Sequence, residues 1–89
     1  VSIYDEWIGQ PVCVRTAAGW TTIGVLAKVA PAELLLTDAA WVASSGRWAQ
    51  FTAGNVSGAE VEPFAGPVIV PRIGSEVSLW GGTLPQAQR

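Results

Sequence analysis

Residues Pro11 to Val29 read PVCVRTAAGWTTIGVLAKV, and the fold turns on this stretch. Val12 and Val14 alternate with Cys13 and Arg15, which predicts a half-buried strand. Ala17-Ala18-Gly19 supplies a short hairpin connection. Alternation resumes from Trp20 to Val29, putting Ile23, Val25, Ala27 and Val29 on one predicted inward face. Gly24, in the middle, marks a bend or a close backbone approach. A long strand bent at a glycine is how a small sheet turns a corner.

Working outward, Ala30-Pro31-Ala32 breaks the run and Glu33 to Thr37 resumes it, with Leu34 and Leu36 inward. Asp38 predicts a bulge or turn before the strand continues through Trp41 and Val42 to Ser44-Ser45-Gly46. In Arg47 to Ala53, Trp48, Phe51 and Thr52 at i, i+3, i+4 favour a helical turn over a strand. Asn55 to Gly66, glycine-rich with Glu60, Glu62 and Pro63, reads as a loop or irregular crossing. Val68-Ile69-Val70 is a short core strand, Pro71-Arg72-Ile73-Gly74 a tight helical turn, and Glu76 to Trp80 a last strand with Val77 and Leu79 inward. Upstream, Ser2-Ile3-Tyr4-Asp5 has the form of a helix start that Gly9 stops, presenting Ile3, Tyr4 and Trp7 to the core. The expectation is one mainly β domain over residues 1–80, five or six short strands after a short N-terminal helix, with an extended tail at 81–89.

Eighty-nine residues, 49% of them apolar, suffice for one such core. Only 13% are charged, and five basic against seven acidic residues give a net charge of −2. That balance disfavours attraction to phosphate, and with it RNA. Neither a disordered tail nor a membrane-spanning helix fits the composition. The single cysteine, Cys13, removes disulfides and multi-cysteine zinc sites, and its apolar setting predicts an inert packed thiol. With no histidine, serine–histidine and cysteine–histidine catalysis are excluded. The pairs Glu60/Glu62 and Asp5/Glu6 read as solvated charge, so no enzyme and no cofactor are expected. The acidic start lacks the basic region of a secretory leader, which points to a cytoplasmic or virion-associated protein.

The segment Val12 to Ala39 resembles the first motif of the Sm-like small β-barrels in Val12-Cys13-Val14-Arg15, Gly19, Gly24-Val25-Leu26 and Leu34-Leu35-Leu36. The resemblance implies a small Sm-like or SH3-like barrel. The RNA site of that family carries over poorly. Its loop Asp and Asn are replaced by Ala30-Pro31-Ala32-Glu33, and its second-motif Arg-Gly has only Arg72-Ile73-Gly74 in its place. The chain looks closer to small Sm-like proteins of phages and prophages, in Ala39-Ala40-Trp41-Val42, Gly46 and Gly54. Those imply an origin in a phage or mobile element and no activity.

Five tryptophans stand out. Trp7 and Trp41 are expected in the core. Trp20 and Trp80 alternate opposite Ile23 and Leu79, and Trp48 sits beside a surface turn, so these three are expected to be exposed. Aromatics in a surface poor in charge are what an interface core looks like. The leading expectation is a non-enzymatic structural or interaction module, self-associating as a homo-oligomer or docked on another protein. Its uncovered edges would be Val68, Ile69 and Val70 on one strand and Val77 and Leu79 on the other. The alternative is a module binding single-stranded RNA or carbohydrate, with Trp20, Trp48 and Trp80 as stacking faces and Arg15 and Arg72 as polar contacts.

Overall fold

The computed structural model describes residues 3–44, 48, 51 and 60–82. A 3-10 turn over Ile3–Trp7 leads into six strands: β1 (Pro11–Arg15), β2 (Thr21–Val29), β3 (Glu33–Ser44), β4 (Glu60–Pro63), β5 (Val68–Pro71) and β6 (Glu76–Leu79). All pairings are antiparallel. The sheet runs β4-β3-β2-β1-β6, and β5 also pairs with β3. At 12 residues, β3 is long enough to hold two partners along one edge. Its start, Glu33 to Leu36, pairs with β5, and its end, Ala40 to Ser44, pairs with β4.

What divides β3 is a bulge at Asp38. Pairing with β2 jumps from Ile23↔Ala40 to Val25↔Thr37, so Gly24 stands opposite Asp38 and Ala39 together. Asp38 takes a left-handed φ of 49°, which aspartate tolerates better than most residues. A Cβ on Gly24 would lie 3.0 Å from the Ala39 Cβ and 3.1 Å from the Thr37 carbonyl oxygen. Glycine is what permits the two strands to approach this closely.

The bulge also exchanges the two faces of β3. Before it, Leu34 and Leu36 join Val12, Val14, Leu26, Ala39 and Val70 in an inner core, flanked by Tyr4, Trp7, Val29, Val68 and Val77. After it, Ala40 and Val42 join Cys13, Ile23, Phe51 and Trp80 in an outer core, flanked by Val61. Both faces of the sheet are thus covered around β1. That burial pushes the Cys13 thiol up to about 11, Arg15 lowering it and Glu76 raising it by smaller amounts.

Several expectations are corrected. The N-terminal helix is a single 3-10 turn; its Tyr4 and Trp7 pack on the inner core, but Ile3 is exposed. In β2 the inner core takes Leu26, and Ile23 faces outward under Phe51. Leu79 is exposed and not inward. Glu60–Pro63, expected within a loop, is a strand, because β3 past its bulge offers a free edge to pair with it. Pro71 closes β5, and the chain then makes a tight turn tied by the Ser75 N–H donating to the Arg72 carbonyl at 3.2 Å, not a helical turn. Trp48 and Phe51 are helical, as the i, i+3 spacing predicts. The rest of 45–59, the Ser2 cap and tail residues 83–89 lie outside the described residues.

Candidate functional site

Directly paired residues in neighbouring strands project to the same face. The register therefore runs one row of side chains across five strands of the inner face: Val77, Val14, Thr22, Trp41 and Glu62. The first two are covered by the inner core. The last three, with Val70 beyond them, line an open groove of about 720 Å³. Thr16, Ala17 and Ala18 of the β1–β2 connection form one wall with Trp20, and Pro63 and Phe64 continue from Glu62. Pro71 and Ile73 close the other side from the β5–β6 turn.

Two backbone features hold this mouth in shape. Gly74, at φ 78°, brings the β5–β6 turn so close that a Cβ there would lie 3.2 Å from the Ala17 Cβ. Thr16 accepts the Trp20 N–H on its Oγ1 at 3.2 Å and donates its own N–H to the Trp20 carbonyl at 2.8 Å, fixing the root of Trp20. The Trp20 ring, 56% exposed, lies 5.4 Å from that of Trp41 at an interplanar angle of 37°. Glu62 is the one charged residue lining the groove among the described residues.

The expected site residues fall in different places. Trp20 is exposed, as expected, yet it belongs to the inner-face side and shares that face with Trp41. Trp48 is exposed on the outer side, with the Arg15 guanidinium 4.7 Å above its ring. Trp80, expected on an exposed face, is only 4% exposed: its ring sits 4.5 Å from Phe51, which stacks in turn at 5.6 Å on Trp48. Arg15, Trp48, Phe51 and Trp80 so form one stack over the outer core. Arg72 lies 4.6 Å from the Tyr4 ring and donates through Nη1 to the Ala30 carbonyl at 2.8 Å, tying the end of β5 to the N-terminal turn and the β2–β3 connection. The structure does not bring Trp20, Trp48 and Trp80 onto one face, and it gives both arginines structural contacts. Sequence reasoning does not mark Trp41, Phe64, Ile73 or Glu62 as site residues. Trp41 is inner only because the Asp38 bulge shifts the alternation, a signal present at Asp38 but silent as to direction.

The residues expected on the edges differ in exposure. β5 pairs with β3 and β6 with β1, and among the described residues neither has a second partner. Ile69 on β5 is 62% exposed and Leu79 on β6 52%, while Val68 and Val77 are half-buried and Val70 is buried. Among the described residues no group of three acidic or cysteine side chains is placed to hold a metal ion. No described helix is long and apolar enough to cross a membrane. No protein-family model matches this chain, and neither a curated protein nor a solved structure is significantly similar to it.

Proposed function

We propose that this chain is a non-enzymatic interaction module, a Sm-like barrel that assembles with copies of itself through the open edges of β5 and β6. The observation that carries the reading is that β5 and β6 each have one partner among the described residues, with Ile69 and Leu79 exposed to solvent on them. A strand with one free side and an apolar exposed row is a template for another strand. Because the two edges are different surfaces, pairing β5 of one copy with β6 of the next is head-to-tail and generates a ring or a filament. Pro67 and Pro71 flank the β5 edge and confine pairing to the window Val68–Val70.

The barrel reading is supported by the order β6-β1-β2-β3-β5 and by an inner core drawn from β1, β2, β3 and β5, with Val77 of β6 against it. In that reading β4 belongs to an insertion, and Phe51 and Val61 pack on the outer face. The phage or mobile-element origin rests on the resemblance in Ala39-Ala40-Trp41-Val42. The non-enzymatic reading is supported by the lack of histidine and by a thiol held neutral at physiological pH.

Amide hydrogen exchange of the full chain at two concentrations tests the edge assignment. Val68 to Val70 and Val77 to Leu79 should gain protection at the higher concentration while the β2 amides stay unchanged. Edge amides whose exchange is independent of concentration would refute it. A ligand-binding reading is favoured by a separate observation, the Trp20–Trp41 groove, though Glu62 in its wall opposes a phosphate-bearing ligand.

A further inference from the structure

The groove meets the end of β5 at Val70 and Pro71, and its opposite wall, Trp20, Trp41 and Glu62, lies away from the β5 and β6 edges and has a specific chemistry. The faces of indole rings carry the negative part of the aromatic quadrupole and attract cations. Elsewhere this chain satisfies such faces itself, with Arg15 over Trp48 at 4.7 Å and Arg72 over Tyr4 at 4.6 Å. Among the described residues, no cation of this chain lies over Trp20 or Trp41. Both rings line the groove, tilted 37° from one another with centroids 5.4 Å apart. Glu62 stands directly across from Trp41 in the β3–β4 register and faces the same way.

We infer that the groove binds an organic ammonium cation, its apolar body against Trp20 and Ile73 and its charged head between the Trp41 indole and the Glu62 carboxylate. A phosphate or carboxylate ligand would meet both Glu62 and the negative faces of the rings. A neutral apolar ligand would strip water from Glu62 and return nothing. Only a cation on an apolar body satisfies both walls. The volume of about 720 Å³ lies within the ~300–1,000 Å³ of small-molecule sites, so it holds such a body together with its head. The same chemistry reaches the groove from two sources, a free quaternary ammonium compound or the methylated lysine side chain of a partner protein.

The test follows the indole N–H resonances of the full chain during titration with choline and with 3,3-dimethylbutanol, its neutral carbon isostere. A parallel pair of peptides carries trimethyl-lysine or the corresponding carbon isostere. The expected result is that the Trp20 and Trp41 signals move, with the cation preferred over its isostere by roughly 2–30-fold. Glu62→Gln, at an exposed position, removes most of that preference, and Trp20→Ala abolishes the binding while leaving the fold intact by circular dichroism. Tighter binding of the trimethyl-lysine peptide than of choline assigns a protein side chain as the source, and the reverse assigns the free cation. Equal binding of cation and isostere would overturn the inference, as would a preference that survives Glu62→Gln or the absence of any shift at either indole up to millimolar ligand. These readouts follow the two indoles and the cation preference, whereas the edge test follows the amides of Val68 to Val70 and Val77 to Leu79, so the failure of one is distinguishable from the failure of the other.

Discussion

Phe51→Ala is the most informative single substitution for the fold. Phe51 is fully buried, its ring 4.5 Å from that of Trp80 and 5.6 Å from that of Trp48, and it covers Cys13, Ile23, Ala40 and Val42 on the outer face. Truncating a buried phenylalanine removes its transfer free energy and leaves a cavity, together costing about 3–5 kcal/mol. A domain of 89 residues has a total stability of roughly 4–13 kcal/mol, so the loss is a large part of the whole. At about 4–8 °C per kcal/mol for this size, the midpoint should fall by roughly 12–40 °C. Thermal and urea unfolding by far-UV circular dichroism give the magnitude. Acrylamide quenching reports whether Trp80 has become accessible. Phe51→Leu should lose markedly less, because it refills most of the space. A Phe51→Ala loss below about 1 kcal/mol, with Trp80 still shielded, would refute the outer core as the seal on this face.

Gly24→Ala should destabilise by about 1–3 kcal/mol in chemical denaturation, because the neighbours it would crowd are the Ala39 Cα and the Thr37 carbonyl, backbone atoms that cannot swing away. Arg72→Met should cost about 1–2 kcal/mol by the same assay, through the lost hydrogen bond to Ala30 and the contact with the Tyr4 ring. The Cys13 thiol, raised from 9.0 to about 11 in the folded state, contributes stability that is complete below pH 9 and lost as the pH rises to about 11, since the unfolded thiol ionises first. That component should be missing from Cys13→Ala, and native Cys13 should resist iodoacetamide at pH 8 until the chain unfolds.

Much of this architecture is legible in local pattern. Alternation in Val12-Cys13-Val14-Arg15 and the glycine at 24 locate β1, β2 and the point within β2 where β3 approaches closely, and Asp38 marks the bulge. The assignment of faces is not legible, because alternation says only which residues lie opposite one another. It places Ile23 and Leu79 inward for that reason, whereas Phe51 covers the first from outside and the second is exposed. It places Trp80 in solvent because nothing in its own strand announces a ring arriving from residue 51, 29 positions upstream. The groove stays hidden for the same reason. Its members come from three connections and four strands, and Glu62 faces Trp41 only through pairing with a strand that reads as a loop.

The shortage of charge takes on a narrower meaning in this light. Part of the outer face that looks available to a partner in the sequence, at Trp80, is covered by the chain itself. Among the large apolar residues left exposed, Ile69, Leu79 and Ile73 lie on the β5 and β6 edges and the turn between them, while Ile3, Ile8, Trp20, Trp48 and Phe64 are exposed elsewhere. The mass of the protein in solution, by light scattering behind a sizing column, tests self-association through these edges most directly. The expected mass is a multiple of the 9.3 kDa chain that depends on concentration. Ile69→Lys should shift it toward the monomer by weakening association at least about tenfold, since each contact loses a buried isoleucine. A single 9.3 kDa species at high micromolar concentration, the same for wild type and Ile69→Lys, would contradict it.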